Sequence, residues 1–255
     1  MPDVALISGA SSGLGALFAQ RLAARGADLV LVARRLDRME SLANRLRATG
    51  RQVEIISLDL AVDGAVDQLM SVIRAKGLTV ERLINNAGYG LRGEFAQMSE
   101  GDIAGMIALN IATVTRLARA VLPEMIARRS GGVLNIASTA AFQPGPNMAV
   151  YYATKAFVLS WSEALHEEVK PDGVRVSCLC PGATMTEFAA RAQMTDSALF
   201  RLMQTRPEPV VDAGLAGLEA NRAVVIPGLL NKLMAFSVRL SPRFMTRRIA
   251  QRMQS

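Results

Sequence analysis

Histidine and cysteine are scarce in this chain of 255 residues, with one of the first and two of the second. The two thiols, Cys178 and Cys180, stand in the apolar run VRVSCLC. No His or Cys cluster completes a metal site around them, so no metal is expected. His166 falls on an expected helix, away from any serine–acid arrangement, which argues against a Ser–His–Asp hydrolase. No uncharged apolar run reaches the ~18 residues a membrane span needs. No basic, apolar, small-residue stretch opens the chain either, because Val4 to Ser8 already reads as a buried strand. Repeats, low-complexity tracts and linkers are missing as well. Hydrophobic residues make up 51% and charged ones 20%, enough for a large core. One cytoplasmic domain over residues 1–255 is expected, since α/β folds of this length are routinely single units.

Acidic residues are absent from one place in particular: none follows Glu219. Arg222, Lys232, Arg239, Arg243, Arg247, Arg248 and Arg252 lie beyond it, and the net charge of the whole chain is +7. The basicity therefore belongs to the C-terminal segment, and residues 1–219 balance.

What is present is an alternation of apolar strands with amphipathic helices. Strand 4–8 leads through a glycine-rich turn, 9–15, into a helix ending near Arg25. Strand DLVLVA, helix 37–49, strand 52–58, helix 62–76 and strand ERLIN follow, then a long helical stretch over 99–129. Strand 131–138, helix 149–170, strand 173–180, a helical segment over 184–220 and a last strand at 223–226 complete the series. That order implies a parallel sheet covered on both faces. In such sheets ligands bind outside the carboxyl ends of the strands. The glycine turn, Arg34, Asp59, Asn86, Ser138 and Pro181-Gly182 all fall there.

Gly9, Gly13 and Gly15 permit a tight turn, a close approach of phosphate to backbone, and close helix–strand packing, with the helix N-terminus offering free N–H groups. Their spacing, G-x-x-x-G-x-G, differs from the commoner G-x-G-x-x-G fingerprint. Strand two ends in Arg34-Arg35, where an NAD site would usually place an acid. Two guanidiniums favour a 2′-phosphate, hence NADP(H) over NAD(H). Tyr151 and Lys155 are four apart, which on a helix stacks them on one face. A phenol with pKa ~10 is about 0.1% ionised at neutral pH. An ammonium fixed beside it is expected to bring it toward the working range of a proton shuttle.

Taken together, G-A-S-S-G-L-G at 9–15, N-N-A-G at 85–88, Asn110, Ser138, Y-Y-A-T-K at 151–155 and P-G-A-T-M-T at 181–186 resemble the short-chain dehydrogenase/reductase family, in its compact single-domain branch. The resemblance runs over residues 3–227. It implies a three-layer doubly wound Rossmann fold with a seven-stranded parallel sheet and a catalytic tetrad. Tyr151 would be the proton donor or acceptor and Lys155 its electrostatic partner and a ribose ligand. Ser138 would hold the substrate oxygen, and Asn110 would organise a water leading from Lys155 to solvent. Tyr152, lacking the i,i+4 lysine, would point elsewhere. Gly9, Ser11, Ser12, Gly13, Leu14 and Gly15 would line the phosphates, with Arg34, and Arg35 as its second, on the 2′-phosphate. Asp59 and Leu60 would border the adenine, and Asn86, Ala87 and Gly88 the ribose. Pro181, Gly182, Thr184 and Thr186 would flank the nicotinamide, Thr184 replacing the family's usual Val or Ile. A homodimer or homotetramer is implied.

Residues 89–98 and 183–206 are expected to wall the substrate cleft. Met185, Phe188, Met194, Leu199, Phe200, Leu202 and Met203 either line it, which favours a bulky apolar ketone or alcohol, or pack on the core. Beyond the core (1–227), the extension 228–255 carries Leu229, Leu233, Phe236 and Leu240, then Met245, Ile249 and Met253, at helical spacing, with Ser241-Pro242 starting a second helix. These basic helices either cover the subunit's own core or a neighbour, or lie on an anionic membrane. Nothing resembles a nucleic-acid module, so no nucleic-acid partner is expected. The leading reading is an NADP(H)-dependent carbonyl reductase or alcohol dehydrogenase acting on a small-molecule substrate. A 3-oxoacyl-thioester reductase and a non-catalytic NADP(H)-binding sensor are the alternatives.

Overall fold

Strands buried on both faces carry apolar side chains at most positions rather than at every second one, and β1 (Val4–Ser8), β2 (Asp28–Ala33), β5 (Gly132–Ile136) and β6 (Arg175–Leu179) follow this rule with Ser8, Asp28, Asn135, Arg175 and Ser177 as the polar exceptions. The computed structural model describes residues 3–185 and 205–254. With β3 (Val53–Ser57), β4 (Val80–Asn85) and β7 (Val224–Val225) the strands form one parallel sheet in the order β3-β2-β1-β4-β5-β6-β7.

Alternate residues of each strand feed two separate cores. Ala5, Ile7, Leu29, Leu31, Leu134 and Leu179 meet Phe18 and Leu22 of α1 (Gly13–Ala24), Met39 and Leu42 of α2 (Leu36–Arg47), and Val211 and Leu215 of α7 (Pro207–Glu219). Val4, Leu6, Val30, Leu83, Val133 and Val176 face the other way. They meet Leu69 and Ile73 of α3 (Ala65–Ala75), Leu117 and Val121 of α5 (Val114–Ala127), and Leu165 of α6 (Ala149–Val169). Each such fully buried Leu or Phe contributes roughly 1.5–3 kcal/mol of transfer free energy. The result is the three-layer doubly wound Rossmann architecture with seven parallel strands. Strand order reverses between β1 and β4, the switch point where an open sheet leaves a crevice.

The helical stretch expected over 99–129 is not uniform. Helix α4 (Glu100–Ile107) passes through one π-helical turn, Ala108–Thr113, before α5. Ser99 caps α4, its hydroxyl accepting from the Asp102 N–H. After β7 two more helices follow, α8 (Leu229–Leu240) and α9 (Arg243–Gln254), joined at Ser241-Pro242. The C-terminal part of the expected 184–220 helix is α7, while residues 186–204 lie outside the described residues.

Candidate functional site

The glycine turn is held from beneath by two polar side chains at strand ends. Ser8, 2% exposed, accepts from the backbone N–H groups of Asn86 and Ala87, each at 3.0 Å, and donates to the Ile84 carbonyl at 3.3 Å. Asn86 Nδ2 donates at 3.1 Å to the carbonyls of both Ser8 and Gly9. This rivets β4 to the start of the turn at the switch point. A Cβ on Gly15 would lie 2.2 Å from the Gly9 carbonyl oxygen, a contact with rigid backbone that no side chain tolerates. Glycine there brings the first turn of α1 down onto the loop. Gly15 therefore packs the turn instead of facing the cavity, a correction to its expected place along the phosphates. Ser8 was not among the expected site residues, although a buried polar residue closing an apolar strand is the same signal that singled out Ser138.

Above the turn the two arginines behave differently. Arg35 folds onto the loop, donating to Ser11 Oγ at 3.1 and 3.2 Å and to Ser12 Oγ at 2.6 Å. Arg34 pairs with Asp59 at 3.4 Å, with both side chains exposed, a geometry worth little. Both arginines line the cavity, Arg35 lying against the turn and Arg34, expected first from the sequence, leaning toward Asp59. Asp59 is turned by its own chain, accepting from the Ala61 N–H at 3.0 Å. Guanidiniums, serine hydroxyls and the α1 N-terminus make this end a set of donors suited to phosphate oxygens.

At the other end, α6 presents Tyr151 and Lys155 on one face. Lys155 is 6% exposed, donates to the Ile136 carbonyl at 2.8 Å, and lies 5.8 Å from the Tyr151 ring centroid. Burial lowers its ammonium from 10.5 to about 8, against an opposing pull from Cys178 and Cys180. The Tyr151 hydroxyl and the Ser138 side chain face each other in the cavity. Burial raises this phenol well above its ordinary value, the Ser138 side chain pulls it down, and neighbouring Tyr152 pushes it up again. The expectation that Lys155 makes the phenol acidic is therefore corrected for the protein alone. The ammonium is committed to a backbone carbonyl, and desolvation outweighs it. Ser138 Oγ donates to the Pro181 carbonyl at 3.4 Å and accepts from the Ala140 N–H at 3.1 Å.

Asn110 sits in the π-helical turn, 1% exposed. Its Nδ2 donates to the Tyr89 carbonyl at 2.8 Å and to Thr154 Oγ1 at 3.1 Å, and its Oδ1 accepts from the Tyr89 N–H at 3.1 Å. The amide is spent clamping the chain after β4, so Asn110 stands behind the cavity wall. A Cβ on Gly88 would meet Asn110 Oδ1 at 3.0 Å and Lys155 Nζ at 3.5 Å, so the three groups close on one another.

A cavity of about 450 Å³ runs from the glycine turn to Tyr151. Apart from Gly15 and Asn110, every described residue expected at the site lines it; Thr186 lies outside the described residues. Tyr152 corrects its expectation, lining the same cavity with its ring edge-on to Tyr151 at 6.0 Å. Of segment 89–98 only Tyr89 reaches the wall, and Phe95 is 61% exposed. Met185 is described but exposed, whereas Phe188, Met194, Leu199, Phe200, Leu202 and Met203 fall outside the described residues. Instead Phe142, Gln143 and the inner face of α8 (Asn231, Met234, Ala235 and Val238) complete the wall. The segment 228–255 is therefore not a mere extension, since its first helix closes the cleft. Asn231 Nδ2 donates to the Pro227 carbonyl at 2.8 Å and its side chain packs on Gly182, anchoring the start of that helix.

Residues 3–197 match the short chain dehydrogenase family. A short-chain dehydrogenase from Sphingobium yanoikuyae in complex with NADPH superposes with a TM-score of 0.83 at 38% identity, covering 94% of each chain. The bulky-bulky ketone specific alcohol dehydrogenase of Comamonas testosteroni gives 0.79 at 36% identity, covering 94% of this chain and 93% of that one. The very-long-chain 3-oxoacyl-CoA reductase of Mus musculus is 33% identical over 191 residues, 72% of this chain but only 60% of the relative. A glycine turn at the switch point, a Tyr-Lys pair facing it across one cavity and this match over most of its length agree: the chain belongs to the short-chain dehydrogenase/reductase family.

Proposed function

We propose that the protein is an NADP(H)-dependent oxidoreductase interconverting a bulky apolar ketone and its secondary alcohol. The observation that carries this reading is the convergence of Ser138, Tyr151 and Lys155 at one end of a single cavity whose other end is Arg35, Ser11, Ser12 and the α1 N-terminus. The donor set at that far end fits a phosphorylated dinucleotide, which Arg34, Arg35, Ser11, Ser12 and the α1 N-terminus would hold. The bound dinucleotide supplies the hydride for reduction and accepts it in oxidation. Ser138 and Tyr151 hydrogen-bond the substrate oxygen. In reduction Tyr151 would give its O–H proton to the substrate oxygen as the carbonyl becomes an alcohol, leaving a phenolate, and in oxidation that phenolate would take the proton back. A phenol raised by burial keeps its proton until that moment, and an alkoxide is a stronger base than any phenolate, so the transfer still runs downhill. Lys155, held by the Ile136 carbonyl and 5.8 Å from the Tyr151 ring centroid, would be the cation nearest that anion's ring among the groups at this end of the cavity. The apolar wall of Phe142, Tyr152, Met234 and Val238 supports a bulky substrate, as does the similarity to the bulky-bulky ketone specific alcohol dehydrogenase of Comamonas testosteroni.

Tyr151→Phe keeps the ring and its packing while removing the proton. Its turnover is expected to fall by about 10²–10⁴-fold, with NADPH binding, followed by nicotinamide fluorescence, retained. Undiminished turnover would overturn the reading. A second substrate class, 3-oxoacyl thioesters, is favoured by the Mus musculus relative, and comparing acetoacetyl thioesters with free ketones separates the two. The unbridged thiols of Cys178 and Cys180, 3.9 Å apart, support a reducing cytoplasm. Exposed Ile107 and Phe157, the latter stacked on Trp161, support a homodimer or homotetramer.

A further inference from the structure

Helix α8 is apolar on two opposite sides. Asn231, Met234, Ala235 and Val238 turn inward to the cavity. Leu229, Leu233, Phe236 and Leu240 recur at spacings of three to four and form a stripe on the reverse side, 57–74% exposed. In α9, Phe244, Met245 and Ile249 are exposed in the same way, while Thr246 and Ala250 pack inward. Lys232, Arg239, Arg243, Arg247 and Arg248 stand exposed around this surface, make no salt bridge among the described residues, and have no acidic neighbour in sequence after Glu219.

We propose that the outer face of α8 and α9 docks on an anionic lipid surface, bringing the wall of the cavity against the membrane. The chemistry matches at two levels: an apolar stripe to enter the headgroup boundary and a one-signed ring of cations to meet anionic headgroups. A second copy on the same face fits worse, because a two-fold contact would set this acid-free cationic ring against itself. One helix then has two tasks, its inner side lining the site and its outer side resting on the lipid. Delivery of an apolar ketone from the bilayer rests on the reductase reading above, whereas docking does not.

The test is sedimentation of the full-length protein with phosphatidylcholine vesicles, with and without phosphatidylserine. Binding is expected only with phosphatidylserine and is expected to fall as salt is raised. The double variant Phe236→Asp with Leu240→Asp, and separately the triple variant Arg243→Gln, Arg247→Gln and Arg248→Gln, should each lower partitioning by more than about tenfold. Turnover of a water-soluble ketone should stay unchanged in both. Should the aspartate variant melt early, the triple variant, exposed throughout, decides. Equal partitioning to both vesicle types, or none, overturns the proposal. So does a dimer in solution that the aspartate variant dissolves while vesicles go unbound, which would assign the face to a second copy. Vesicle binding is read without turnover, so it stands or falls separately from Tyr151→Phe.

Discussion

At the glycine-turn end of the cavity, position is fixed by backbone: Gly15 leaves no room above the Gly9 carbonyl, and Ser8 and Asn86 tie main chain to main chain across β1 and β4. At the substrate end, position is set by side chains on separate elements, with Tyr152 and Phe142 from around α6 and Met234 and Val238 from α8. Backbone construction makes the first end rigid and intolerant of change. Side-chain construction lets the second be reshaped without disturbing the fold. Lys155 stands where the two meet, and removing it should have the largest effect of all.

Lys155→Met is expected to cost about 10²–10⁴-fold in turnover. It also tests the buried charge through stability. The folded protein holds the Lys155 proton less tightly than the unfolded chain, with a value of about 8 against 10.5. The cost of the charged group is thus fully present below pH 8 and is relieved as pH rises toward 10.5, where both states are neutral. Wild type should gain stability relative to Lys155→Met across that window, read from urea midpoints. Parallel curves for the two proteins would contradict the buried ammonium.

Next in size is Gly15→Ala, which should destabilise the protein by at least about 1–3 kcal/mol, because the methyl meets backbone that cannot give. An unchanged urea midpoint would mean the turn is compliant and the contrast between the two ends is wrong. Arg35→Ala follows, expected to weaken NADPH binding about 10–100-fold, the worth of a charge-assisted contact of about 1.5–3 kcal/mol. Arg34→Ala should cost less, since Arg34 leans outward to Asp59 at 3.4 Å. A larger effect at Arg34, by titration calorimetry, would restore the order expected from sequence.

The same contrast explains what could be read in advance. Motifs at strand ends and the i,i+4 spacing of Tyr151 and Lys155 report local backbone geometry, which is encoded locally, and the sheet follows from unbroken apolar runs. Helix α8 was visible as a helix, but its spacing displayed the outward stripe of Leu229, Leu233, Phe236 and Leu240. Periodicity finds an apolar face without saying what it touches, and the functional face carried the less conspicuous Asn231, Met234, Ala235 and Val238. Tyr152 was misdirected because one residue along a helix implies a turn of about 100°, whereas the cavity wraps wide enough to take both rings. Asn110 was found by type, but its partners depend on a π-helical turn that no pattern in the sequence announced. The sign of the Tyr151 shift depends on burial, which spacing does not measure.

The smallest expected effect tests the substrate end directly. Met234 reaches the cavity from α8, and its flexible thioether can follow a substrate's shape. Met234→Ala removes that contact without touching α6 or the glycine turn. For a bulky apolar ketone KM should rise about fivefold or more, since losing roughly 1 kcal/mol of apolar burial has that effect. A small ketone that leaves the α8 wall uncontacted should show no change, nor should KM for NADPH. If both ketones shift together, α8 acts by holding the fold and not by touching substrate. If neither shifts, the wall belongs to another element, and the division of the cavity into a backbone-built and a side-chain-built end would have to be redrawn around that element.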